Sequence, residues 1–197
     1  LNRIKEKEFY GRKFYVDERV LVPRPETETI IDEVINKKLE IKSNTTVIDV
    51  GTGSGCIIIT LAKELKNKNQ KFFATDISKD ALSVAKKNAH LHKVTDKIKF
   101  LHGNLLEPIF KYARQMSNVK CQMLIVANLP YLTPAQIKNS PSIKHEPKLA
   151  LTAGKDGLKY YRELARQLEG VRLLSRKESD SFPKKNHSLM RNRPNTS

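Results

Sequence analysis

The stretch that most limits what this chain can fold into is Val47-Ile48-Asp49-Val50-Gly51-Thr52-Gly53-Ser54-Gly55-Cys56. A β-branched run there breaks into alternating glycines and continues as Ile57-Ile58-Ile59-Thr60-Leu61-Ala62. Branched side chains suit a pleated strand, and glycines admit positive φ. The order is therefore strand, tight turn, helix. The glycines put no side chains in the way, so a ligand can lie against the main chain where the helix begins.

The spacing bears on which ligand. A dinucleotide fingerprint has its third glycine one position later, where Cys56 stands, and the Gly-Lys-Ser/Thr ending of a P-loop is missing. One acid, Asp49, precedes G-x-G-x-G, and a second, Asp76, closes Phe72-Phe73-Ala74-Thr75-Asp76. That arrangement resembles the cofactor site of S-adenosylmethionine methyltransferases. Asp76 then stands where an acid accepts hydrogen bonds from ribose hydroxyls in doubly wound sheets. The plainer alternative is a glycine turn that only packs helix on strand. The glycine loop and second acid on consecutive strands favour the binding site.

A chain of 197 residues supports one substantial core, and one domain is the natural expectation. No apolar run approaches the length of a membrane span and no signal-peptide pattern opens the chain, so a cytoplasmic setting and no membrane partner are expected. Cys56 and Cys121 lie in apolar stretches without ligand spacing, as buried free thiols do, and no metal is expected. The net charge of +16 admits a nucleic-acid partner. However, the basic residues are mostly dispersed lysines, as in Lys66-Asn67-Lys68-Asn69-Gln70-Lys71, without the interleaved aromatics of a base-stacking surface. A solvated lysine-rich surface is favoured.

Phe9 to Val16 alternates aromatic and basic residues about Gly11, a β-hairpin signal. After Val20-Leu21-Val22-Pro23-Arg24, Pro25 can open a helix, Glu26 and Glu28 suit its positive end, and Ile30, Ile31, Val34, Ile35 and Leu39 form one apolar face. Strand and helix then alternate as in a parallel sheet covered on both faces. The second strand is expected from Lys71 to Thr75, a helix N-capped by Ser78 follows with Ala81, Leu82, Ala85 and Ala89 buried, and the third strand runs from Ile98 to Leu101. A polar connection from Lys111 to Lys120 leads to Met123-Leu124-Ile125-Val126-Ala127, an apolar fourth strand expected to be buried on both faces.

That strand runs into Asn128-Leu129-Pro130-Tyr131. In open α/β sheets ligands bind beyond the carboxyl ends of the strands, so this tetrapeptide and the glycine loop should share one crevice. An amide nitrogen or an exocyclic base amine is a poor nucleophile, because its lone pair is delocalised. The Asn128 side-chain oxygen and the Leu129 or Pro130 carbonyl can accept the two N–H bonds of such a group and aim the lone pair at a sulfonium methyl. Positioning and electrostatics would then carry most of the catalysis. Tyr131 would stack on the flat group and Pro130 would stiffen the loop. An ordinary turn after a strand is the plainer alternative.

With Tyr10-Gly11-Arg12, Pro23-Arg24-Pro25-Glu26-Thr27-Glu28, the Asp49–Gly55 loop, Asn128–Tyr131, Glu146-Pro147-Lys148-Leu149-Ala150-Leu151, Gly154 and Asp156-Gly157-Leu158, the chain resembles the HemK family of protein glutamine-N5 methyltransferases. The resemblance implies a Rossmann-like, mostly parallel, doubly wound sheet. It implies S-adenosylmethionine as cofactor and the glutamine of a Gly-Gly-Gln motif in peptide-chain release factors as substrate. Asp49, Gly51, Thr52, Gly53, Ser54, Gly55, Asp76, Asn104 and Leu105 would bind the cofactor. Asn128, Leu129, Pro130 and Tyr131 would bind the glutamine, with Asn128 touching both and Asn128, Pro130 and Tyr131 carrying the chemistry.

Leu129 stands where the family has a first proline, so a carbonyl acceptor is kept while the loop loses rigidity. Asn104 replaces an Asp, keeping a hydrogen bond and losing a charge. Asn-Leu-Pro-Tyr is also similar to the loop of ribosomal RNA adenine dimethyltransferases, so an adenine amine on nucleic acid is the alternative substrate. The family's N-terminal helical domain and C-terminal strands have no counterpart here. The expected divisions are an N-terminal hairpin and linker over 1–24, a methyltransferase domain over 25–174 and a basic disordered tail over 175–197, with a helix over about Asp156–Leu168 and Val171-Arg172-Leu173-Leu174 as the last candidate strand. Loss of the further strands would leave the fourth strand near an exposed edge, and a cofactor-binding or inert remnant without turnover is the third possibility.

Overall fold

The computed structural model describes residues 5–36, 41, 44–65, 69–114, 122–139 and 146–179. It opens with an antiparallel hairpin, β1 (Lys5–Phe9) and β2 (Arg12–Val16). Tyr10 and Gly11 both take positive φ, +50° and +66°. A two-residue turn of this hand matches the twist of the strands it joins. The hairpin is not peripheral. Phe9 and Phe14 are buried in the same apolar cluster as the central sheet, and the Tyr15 backbone exchanges hydrogen bonds with the buried Asn88 side chain.

Pro25–Thr27 form a 3₁₀ turn that runs into α1 (Glu28–Asn36). Leu39, expected on the apolar face of that helix, lies outside the described residues. The glycine stretch folds as expected, with β3 (Thr46–Val50) followed by α2 (Cys56–Glu64). Next come β4 (Lys71–Asp76), α3 (Lys79–Leu91) and β5 (Ile98–His102). The Ser78 hydroxyl caps α3 by accepting from the Ala81 N–H at 3.1 Å.

A helix follows that the sequence reading did not contain. α4 (Glu107–Arg114) occupies the start of the expected polar connection. Lys111 is exposed, outside a stripe led by the buried Ile109, with Phe110 and Tyr112 packed on the same cluster. The strand β6 (Met123–Ala127), the short helix α5 (Pro134–Lys138) and the long helix α6 (Lys159–Ser179) complete the order. The expected strand at Val171–Leu174 is not one, because those residues continue α6. Arg162 to Glu169 are all strong helix formers, and the single Gly170 between them and the apolar residues beyond does not end the helix. Residues 175–179, assigned to the tail, are also helical, and the remainder of the tail lies outside the described residues.

The sheet is parallel with strand order β5-β4-β3-β6. Every residue of β3 is buried, and its side chains alternate between two clusters. Val47 faces the one built with α1 and α2, while Ile48 and Val50 face the one that includes Leu106, Ile109 and Leu164 of the other layer. The chain passes from β3 to one neighbour and returns later on the opposite side as β6. Crevices form at such a switch point, beyond the carboxyl ends of the strands. The expectation that β6 is buried on both faces does not hold. It is an edge among the described strands, with Val126 buried but Met123 43% exposed. No helix among the described residues is long and apolar enough to cross a membrane.

Candidate active site

Strand register assembles the site. Val50 pairs with Ala127 on one side and with Thr75 on the other, so Gly51, Asp76 and Asn128 emerge at one level of the sheet. They line a cleft enclosing about 1050 Å³, open solvent at its mouth included. Thr52, Gly53, Ser54, Asn104, Leu105, Leu129 and Pro130 line it as well. Two sequence-separated motifs have thus become one cavity.

The glycine loop is held from below. The Gly51 and Thr52 N–H groups donate to the Thr75 carbonyl at 2.9 and 3.0 Å. Asp49 is not a wall of the cleft. It is fully buried beneath the loop, where its Oδ2 accepts from the Thr52 hydroxyl at 2.6 Å and its Oδ1 is left without a partner. Burial pushes its pKa up to about 7, the Thr52 hydrogen bond opposes that shift, and the nearby Asp76 charge adds to it. Gly53 has φ +55°, and a Cβ there would meet nothing within 4 Å. Its open side is available to a ligand at low steric cost. Gly55, by contrast, packs against α2 and α3 and does not line the cleft.

Asp76 accepts from the Gly53 N–H at 2.9 Å through Oδ2 and from the Ser78 N–H at 2.8 Å through Oδ1. Each oxygen keeps a lone pair for a ligand hydroxyl. Desolvation raises its pKa, against the two backbone hydrogen bonds. Leu105 adopts a left-handed φ of +47°, unusual for a leucine, with its side chain buried at the cleft. Asn104 Nδ2 lies 3.5 Å from Glu107 Oε1. Cys56 also borders the cleft, yet burial drives its thiol to about 12, which leaves no thiolate to act as a nucleophile.

Asn128 sits at the opposite wall. Its Nδ2 donates to the Thr27 hydroxyl oxygen at 3.0 Å, across 101 residues of sequence. Among the described residues its Oδ1 has no hydrogen-bond donor. Leu129, in the place where the family has proline, is buried on the second core cluster, and its Cδ2 would lie 3.0 Å from a Cβ on Gly51. Leu129 thus packs closely over Gly51, in space that a side chain there would contest. The Tyr161 hydroxyl donates to the Leu129 carbonyl at 3.4 Å. Tyr131 does not line the cleft and is 57% exposed.

Several residues at or behind this wall were given no site role from sequence. Arg24 donates to both oxygens of Glu146 at 2.7 and 2.9 Å, which joins the proline-rich segment to the Glu146-Pro147 loop. The Leu132 N–H donates to the Leu151 carbonyl and the Ala153 N–H to the Leu132 carbonyl, both at 3.0 Å, so the same loop runs beside the tetrapeptide. Gly157 lies so close that an added Cβ would sit 2.2 Å from the Tyr131 carbonyl oxygen. The only sequence signal for these residues was the motif resemblance, since none has a local pattern that marks a site.

A family model described as a methyltransferase domain matches residues 41–195, and the chain belongs to that family. More particularly, it is 41% identical over 173 residues to a release factor glutamine methyltransferase of Bacillus cereus, covering 83% of this chain and 56% of the relative. It is 42% identical over 159 residues to the release factor glutamine methyltransferase of Bacillus subtilis, covering 78% and 52%. The chain thus spans about half the length of these curated relatives. Among solved structures, the human Mettl16 catalytic domain in complex with a MAT2A 3′UTR hairpin matches with a TM-score of 0.55 at 18% identity, over 85% of this chain and 65% of that one. That likeness shows the fold. The resemblance read from the motifs and the Rossmann-like sheet are borne out.

Proposed function

We propose that this chain binds S-adenosylmethionine in the cleft and methylates the side-chain nitrogen of the glutamine in the Gly-Gly-Gln motif of peptide-chain release factors, in a cytoplasmic setting. The observation that carries the proposal is the Asn128 amide at the carboxyl end of β6, its nitrogen tied back to Thr27 and its oxygen without a hydrogen-bond donor among the described residues. The names of the relatives at about 40% identity support the same substrate.

The residues present fit the cofactor. Asp76 retains lone pairs for ribose hydroxyls, the open side of Gly53 admits the ligand against the backbone, and Asn104 and Leu105 supply the wall beside them. When bound, S-adenosylmethionine supplies an electrophilic methyl group. The chain supplies position. Asn128 Oδ1 and the Leu129 carbonyl accept the two N–H bonds of the glutamine amide. Pro130 limits the freedom of the loop, and the exposed ring of Tyr131 offers a surface to the protein substrate. A preorganised pair of acceptors of this kind needs no reorganisation as the reaction proceeds.

The charge of +16 favours one second reading, an adenine amine on nucleic acid as the methyl acceptor. The test begins with thermal melts of the chain with and without S-adenosylmethionine. At a hundredfold excess over its dissociation constant, the ligand should add about 2.7 kcal/mol. Methyl transfer is then assayed on a Gly-Gly-Gln peptide and on an adenine-containing oligonucleotide. Transfer to the peptide, lost by at least about a hundredfold in Asn128→Ala with cofactor affinity little changed, is the expected result. Transfer to the oligonucleotide alone, with binding that falls steeply as salt is added, would replace glutamine with adenine. A melt unmoved by the cofactor would overturn both.

A further inference from the structure

We infer that Thr27 is a positioning residue for methyl transfer, its hydroxyl anchoring the Asn128 amide by its nitrogen end. This inference rests on the role given to Asn128 above. An asparagine side chain has two ends of nearly equal size, one a double donor and the other an acceptor. The substrate amine presents N–H groups, so only the oxygen end is useful toward it. The nitrogen end would set donor against donor. Nothing on β6 itself distinguishes the two orientations.

Thr27 anchors the nitrogen end. Its Oγ1 lies 3.0 Å from Asn128 Nδ2, and with the nitrogen engaged, Oδ1 is the end left for the substrate. The residue is itself well held. Thr27 is 7% exposed and its N–H donates to the Arg24 carbonyl at 3.0 Å, within the turn that Pro25 opens. Arg24 in turn grips Glu146 through both carboxylate oxygens. The proline-rich segment is therefore more than a well-started helix: its third turn residue anchors the acceptor side chain.

The substitution that isolates the hydroxyl is Thr27→Val, which keeps the branched shape, with Thr27→Ser as the conservative control. In Thr27→Val, kcat for the Gly-Gly-Gln peptide should fall by about tenfold or more, because small misplacements of a positioning group are costly. KM and cofactor affinity should stay within about twofold, and Thr27→Ser should recover most of the rate. A second readout does not depend on turnover. The side-chain amide cross-peaks of Asn128 in a nitrogen-15 NMR spectrum, identified by their absence in Asn128→Ala, should shift and exchange faster in Thr27→Val and return in Thr27→Ser.

Amide peaks that do not move in Thr27→Val would overturn the inference, as would a full rate in that variant alongside a large loss in Asn128→Ala. A full rate in Asn128→Ala would instead remove the role of Asn128, and the positioning role with it.

Discussion

The two walls of the cleft are built in opposite ways. The glycine-loop wall is assembled from neighbours: Asp49 bonds Thr52 three residues on, and Gly53 reaches Asp76 on the adjacent strand. The Asn128 wall is assembled from three distant segments. Thr27 holds Asn128 across 101 residues, Arg24 holds Glu146 across 122, and Gly157 sits against the Tyr131 carbonyl. A wall made by local backbone geometry forms wherever its strand and helix form. A wall made by long-range contacts forms only when the whole domain has closed, so the two should respond differently to substitution.

The largest expected effect belongs to the local wall and is read as stability against pH. Folded Asp49 holds its proton up to about pH 7, whereas the ordinary value is 3.8. The folded chain therefore binds more protons across that window. The stability contributed by this group is present in full below the lower value and is lost as pH rises through the upper one, by at most about 4 kcal/mol. Asp49→Asn should flatten this component. Melts of both proteins at pH 5 and pH 8 measure it, and equal falls in the two would show that Asp49 is not its source.

Next in size is Gly157→Ala. The added Cβ meets a backbone oxygen that cannot rotate away, and Gly157 has φ +75°. A loss of about 2 kcal/mol is expected from strain at a special backbone position. If the walls are as separate as their construction implies, peptide methylation should fall further than cofactor affinity. Parallel losses in both would show that the walls are coupled.

The smallest effect should come from the Arg24–Glu146 pair. Glu146 is mostly buried and Arg24 only partly, and a single guanidinium nitrogen serves both carboxylate oxygens. A double-mutant cycle with Arg24→Ala and Glu146→Gln should return a coupling of about 1 kcal/mol in stability. A coupling near zero would mean that the proline-rich segment is held by packing alone.

Legibility from sequence followed the same division. The strands β3 to β6, the cap at Ser78 and the hairpin about Gly11 all declared themselves through short-range patterns of branched, small and capping residues. Asp76 was found for the same reason. The misses were of two kinds. Some local signals were present but outweighed: α4 begins with Glu107-Pro108, and Thr133 with Gln136 forms a capping box at α5. At Val171–Leu174 a short apolar run was ambiguous between strand and helix, and the helix formers before it decided the outcome. The second kind had no local signal at all. Sequence marks Asn128 as a strand-end residue, but not that its nitrogen is engaged by Thr27.

What this sequence determined by itself was the hairpin, the four parallel strands and the glycine turn, because dihedral preference, capping and apolar periodicity act over a few residues. It also placed Asp49 and Asp76 at strand ends. Tertiary structure decided the rest. It put Asp49 beneath the loop rather than in the cleft, left Tyr131 on the surface, and brought Arg24 and Thr27 to the Asn128 wall, with Glu146 bonded to Arg24 and Gly157 against the Tyr131 carbonyl. The reason is geometric: strand register fixes which residues emerge side by side, and register is set by packing of the two core clusters across the whole sheet.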